Sequence, residues 1–70
     1  MLIFVVYLLK NDGQEINYGY FDSLEKAQQE IVSKAKNYNA EVNKTNQFWS
    51  FYTDQTDNAD KWTIKRIEVL

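Results

Sequence analysis

The chain has 70 residues, a net charge of −2, and neither cysteine, histidine nor proline. That length makes one domain, which buries only ~60% of the surface its unfolded form exposes. Without disulfides or zinc ligands, stability must come from apolar packing or from association with a second copy. The acidic balance works against nucleic-acid binding, and the missing His and Cys remove the commonest general base and the strongest nucleophile.

Leu2–Leu9 is an unbroken apolar run. Such a run reads as a strand covered on both faces, and so as an interior strand of a sheet. It is too short to span a bilayer, which takes ~20 residues. It has neither a basic stretch before it nor a small-residue cleavage site after it. The expected setting is the cytoplasm, away from membranes.

Asp12-Gly13 follows, flanked by a second extended run over Ile16–Phe21. Asp-Gly between two such runs signals a two-residue hairpin turn. With Asp12 and Gly13 as its central residues, Lys10 faces Glu15, Leu9 faces Ile16, Tyr7 faces Tyr18 and Val5 faces Tyr20. The opposite side sets Leu8, Val6 and Phe4 against Asn17, Gly19 and Phe21. One face is therefore rich in tyrosine and the other is aliphatic, with a glycine where another backbone can come close. The helix is expected over Phe4, Val6, Leu8 and Gly19.

Asp22 or Ser23 can cap that helix, and Asp22-x-x-Glu25 has the spacing of a capping box. Leu24, Ala27, Ile31, Ala35, Tyr38 and Val42 recur at steps of three and four, one helical stripe. The spacing predicts a helix over Ser23–Asn37, with an extension to Asn43 left open. Gln47–Thr53 reads as a third strand and Trp62–Leu70 as a fourth. The apolar phase of the fourth flips between Ile64 and Ile67, which suggests a bulge near Lys65–Arg66.

The element order is thus ββαββ: one α+β domain over residues 1–70, with a four-stranded antiparallel sheet and one helix on one face. A helical crossover makes strands 2 and 3 parallel. Placing strand 1 between them favours the order 2-1-3-4, with 2-1-4-3 as the second choice.

No motif carries catalytic chemistry, so no enzyme is expected. Two glycines cannot form a nucleotide-binding loop, and no cofactor is implied. Asp54–Asp60 offers oxygen ligands but lacks the turn glycine and distal Glu of a calcium loop, and reads as a solvated connection. The candidate surface is the tyrosine face: Tyr7, Tyr18 and Tyr20, joined by Trp49 or Trp62 according to strand register. Aromatic side chains are over-represented at binding hot spots. They also suit strands by propensity alone, and the same face can serve to pair two copies.

Tyr18–Ile31 resembles a strand-to-helix junction of the form G-x-F-x-S-x-E-K-A. That junction is found in small uncharacterised proteins of bacteriophages, prophages and low-GC Gram-positive bacteria. Gly19, Phe21, Ser23, Glu25, Lys26 and Ala27 match it, and Trp62-Thr63-Ile64 resembles a later element of the same proteins. The resemblance covers about a third of the chain and implies a mobile-element setting, with no activity attached. The expectation is a non-catalytic binding protein that acts on a protein partner through the aromatic face, using Tyr7, Tyr18, Tyr20 and Trp49. The alternatives are a homodimer of structural role and a weak nucleic-acid module using Lys61, Lys65 and Arg66.

Overall fold

The structure is a computed structural model that describes residues 1–70. In chain order it has β1 (Leu2–Leu9), β2 (Glu15–Phe21), α1 (Leu24–Asn37), β3 (Phe51–Tyr52) and β4 (Lys61–Glu68). The fold is α+β, with one four-stranded sheet whose neighbouring strands are all antiparallel and one helix on one side.

The strand order is β2-β1-β4-β3, which corrects the favoured 2-1-3-4. The segment between Asn37 and Phe51 returns the chain to the end of the sheet from which the helix set out. β3 therefore runs parallel to β1, and β4 can lie beside β1 in the antiparallel sense. All eight β4 residues pair with β1, whereas β3 pairs through only two residues. The apolar first strand thus takes the two long strands as its neighbours. Only Phe51–Tyr52 of the expected third strand is extended; Ser50 makes an isolated bridge to Asn43.

The hairpin closes differently from the two-residue turn. Lys10 N–H donates to the Gln14 carbonyl at 2.8 Å and Gly13 N–H to that of Lys10 at 2.9 Å. Within the loop only Gly13 has positive φ, at 94°. This is a type I turn closed by a left-handed glycine, a three-residue loop. The extra loop residue shifts the register by one, so that Leu9 faces Glu15, Leu8 faces Ile16 and Tyr7 faces Asn17. A bulge then absorbs Tyr18, and Val6–Gly19, Val5–Tyr20 and Phe4–Phe21 pair as the alternation predicts.

Ser23 caps α1, its hydroxyl accepting from the Lys26 N–H at 3.2 Å. Asp22 pairs with the Lys26 ammonium at 3.0 Å instead of capping. At the other end Ala40 N–H reaches the Ala35 carbonyl and Asn39 N–H that of Lys36, with Asn39 at φ 52°. That pair of bonds and the left-handed residue between them stop the helix, so it does not extend to Asn43. Val42 still packs on the core from the following loop.

The core lies between α1 and the sheet. Ala27, Ile31 and Ala35 meet Val6, Leu8, Trp62, Ile64 and Phe51. Gly19 does not admit the helix backbone. The space beside it is taken by the Phe21 ring, whose Cε2 lies 2.8 Å from where a Cβ would stand. No bulge interrupts β4, whose register with β1 runs unbroken from Lys61 to Glu68. Its apolar phase changes for another reason: toward Arg66 and Glu68 the helix-side positions become exposed, while Ile67 sits across from Ile3 on the face without a helix.

Candidate functional site

The sheet has one face under α1 and one with no element over it. From the registers, the uncovered face carries Ile3, Val5, Tyr7 and Leu9 of β1 and Asn17 and Tyr20 of β2. Lys61, Thr63, Lys65 and Ile67 of β4 and Tyr52 of β3 complete it. The sequence-based division of β1 into two unlike faces therefore holds, but the tyrosine cluster does not.

Tyr7 and Tyr20 stand on the uncovered face, and Tyr18 does not join them. The bulge turns Tyr18 to the helix side, where its ring lies 4.7 Å from that of Trp62. Trp49 also packs against the core, with the Lys44 ammonium 4.5 Å from its ring centroid. Two of the four aromatic residues expected on one surface are thus on the other side of the sheet. Strict alternation from the turn cannot find this, because a three-residue loop and a bulge each shift the phase by one.

Around Trp62 the aromatic rings form a group. Phe51 stacks at 6.2 Å with an interplanar angle of 12°, and Tyr38 lies 6.4 Å away. The Lys34 ammonium caps the indole at 5.7 Å. The Trp62 Nε1–H is buried and has no hydrogen-bond partner. Such a group holds helix, bulge and β3 together through ring area, each pair adding about 0.5–1.5 kcal/mol beyond burial.

The uncovered face divides along its length. At the turn end, Lys65 covers apolar surface: its ammonium sits 4.8 Å over the Tyr7 ring and 3.7 Å from the Glu15 carboxylate. Burial, and then the charge of Glu15, push the Tyr7 hydroxyl above its usual pKa. Lys61 extends over Tyr52 at 5.7 Å. Val5, flanked by Lys65 on one side and Tyr20 on the other, is wholly hidden although no helix covers it. On this half of the sheet the Lys65 and Lys61 side chains thus lie over the Tyr7 and Tyr52 rings.

At the other end the cover gives out. Tyr20 is 65% exposed, Ile67 37% and Val69 46%, with Ile3 half-buried among them. Asn17 Nδ2 donates to the Tyr20 hydroxyl at 3.2 Å. An open depression of about 390 Å³ runs beside Ile3 and Tyr20, bounded by Phe21, Asp22 and Lys26. The Lys26 ammonium holds the Asp22 carboxyl below the ordinary carboxylate range.

A larger cleft of about 570 Å³ lies between the helix end and the β3–β4 loop, lined by Tyr38, Asn39, Glu41, Tyr52, Asp54 and Gln55 among others. Its carboxylates are Glu41 and Asp54, and Asp54 is engaged by the Thr56 hydroxyl at 2.6 Å, which lowers its pKa. Asp60 serves as a clasp. It accepts from the Asn11 N–H at 3.0 Å, lies 4.0 Å from the Lys10 ammonium, and its own N–H donates to Thr53 Oγ1. The acidic loop is thereby tied to the β1–β2 turn. No three acidic side chains converge as a metal site.

Compared with family models, curated proteins and solved structures, the chain matches none of them. No helix is long and apolar enough to cross a membrane.

Proposed function

We propose that this chain is a non-catalytic binding protein that engages a protein partner through the open end of its uncovered sheet face. One observation carries the reading. Ile3, Tyr20, Ile67 and Val69 form an apolar patch that no element of the chain covers, while on the other half of the same face lysine side chains lie over the Tyr7 and Tyr52 rings. A polar-rimmed apolar patch with an accessible tyrosine has the make-up of a protein-binding surface. The reading keeps Tyr20 from the four residues expected from sequence and leaves Tyr18 and Trp49 to packing. A mobile-element origin and a cytoplasmic setting belong to the same proposal, resting on the resemblance at Gly19–Ala27.

The test is capture from a lysate of the encoding organism with the intact chain and with Tyr20→Ser plus Ile67→Ser. Lys36→Ala, an exposed change on the helix, is the control. The expected result is a protein retained by the wild type and the control and lost with the double variant. Equal retention by all three would place the binding surface elsewhere.

A further inference from the structure

The outer edge of β4 is half free, and its composition fits a second copy of itself. Met1 and Val69 exchange main-chain hydrogen bonds at 3.1 and 2.8 Å, which fixes the alternation along β4. The amides and carbonyls of odd-numbered residues face β1. Those of Arg66 and Glu68 point the other way, to an edge where β3 is absent, since β3 pairs only with Lys61 and Trp62 at the far end. Unpaired edge groups of this kind are a template for another strand.

Arg66 and Glu68 are exposed and stand two residues apart, on one side of the strand. Neither makes an ion pair within the chain. Most of the other cations are engaged: Lys10 and Lys26 by carboxylates, Lys34, Lys44 and Lys61 by rings, and Lys65 by both. The edge thus presents one plus and one minus, spaced to complement itself in reverse.

We propose that two copies pair antiparallel through this edge about a dyad at Ile67. Arg66 of each copy then lies opposite Glu68 of the other, and each such pair exchanges two main-chain hydrogen bonds. Ile67 meets Ile67 across the axis on the uncovered face. The two β3 strands do not collide, because each lies at the opposite end of its own β4. The other sheet edge is not available in the same way, since the Tyr18 bulge breaks β2. An isologous contact of this kind closes on itself as a dimer. The pairing shares Ile67 with the partner surface proposed above, and the dyad joins the two Ile67 patches into one strip; Arg66 and Glu68 belong to the pairing alone.

Charge reversal gives the test. Sedimentation equilibrium of the wild type between about 10 µM and about 1 mM covers the range where small interfaces dissociate. The expected mass rises from 8.3 kDa toward twice that value. Arg66→Glu alone and Glu68→Arg alone each place like charges opposite one another and weaken the dimer roughly 10-fold. Mixing the two variants restores it, since each then supplies the charge the other lacks, and so does carrying both changes in one chain. A wild type that stays monomeric throughout overturns the proposal. So do single variants that dimerise like the wild type, or a mixture that is no tighter than either variant alone. Loss of lysate capture by the Tyr20 and Ile67 variant leaves these outcomes untouched when the charge-swap mixture is assayed separately.

Discussion

Tyr18 and Tyr20 are two residues apart in a strand, and unbroken alternation would make them equivalent. The structure makes them unlike, so truncating each is a direct test of the bulge. Tyr18 is 53% exposed, and its hidden half lies against Trp62. A tyrosine that buries about 100 Å² at ~25 cal/mol/Å² contributes ~2.5 kcal/mol, reduced by 10–40% for a compact unfolded state and increased by ~0.5–1.5 kcal/mol for the ring pair. Tyr18→Ala is therefore expected to cost about 2–4 kcal/mol, which lowers Tm by roughly 10 °C or more in a domain of this size. Tyr20 is 65% exposed and has no ring partner, so the same arithmetic over about 75 Å² gives an expected cost of about 1–1.5 kcal/mol for Tyr20→Ala, below that of Tyr18. Urea unfolding followed by tryptophan fluorescence and by circular dichroism measures both. Similar losses for the two variants, or a larger loss at Tyr20, would refute the placement of Tyr18 on Trp62.

Other positions give independent checks. Asn39 sits in the left-handed region at the helix end, so Asn39→Gly should hold or raise stability while Asn39→Val lowers it by about 1–2 kcal/mol in the same unfolding assay. Tyr7 has its folded pKa raised, so the neutral phenol is favoured by folding. That contribution is whole below the unfolded value near 10 and is lost as pH rises through the higher folded value, and Tyr7→Phe should blunt the decline of Tm in alkaline scans. Asp22 and Asp54 have lowered pKa values, so their contributions are whole above about pH 4 and fade as the pH falls through their folded values; Asp22→Asn plus Asp54→Asn should flatten the acid limb of the same scan. Asp60→Ala removes the clasp between the β1–β2 turn and the β3–β4 loop, and amide exchange at Asn11 should accelerate while that of β1 stays protected.

Much of the fold was legible because local chemistry dictates it. The apolar run Leu2–Leu9 asked for an interior strand, Ser23 for a helix start, and Ala27, Ile31 and Ala35 for a buried stripe; each is where the pattern placed it. The two unlike faces of β1 were also readable from alternation alone. The candidate surface was legible only in part. Tyr20 stays on the uncovered face, whereas Tyr18 and Trp49 leave it, because a register is the sum of every turn and bulge before it.

The sequence by itself determined the helix start, the two strands of the hairpin and the last strand, which side of β1 the helix covers, and the absence of His and Cys chemistry, but not the short extent of β3. These depend on periodicity and composition, which are local properties of the chain. Only the tertiary structure decided the order β2-β1-β4-β3, the three-residue turn with its compensating bulge, and the free edge at Arg66 and Glu68. Each of these depends on how far a connecting segment travels before the chain pairs again. Residues 38–50 carry the chain back across the molecule and, apart from the Asn43–Ser50 bridge, form no helix or strand. Packing Trp62 under the helix against Leu8, with Phe51 stacked beside it, then selects the neighbour of β1. That choice follows from the joint burial of residues far apart in sequence, which no local pattern records.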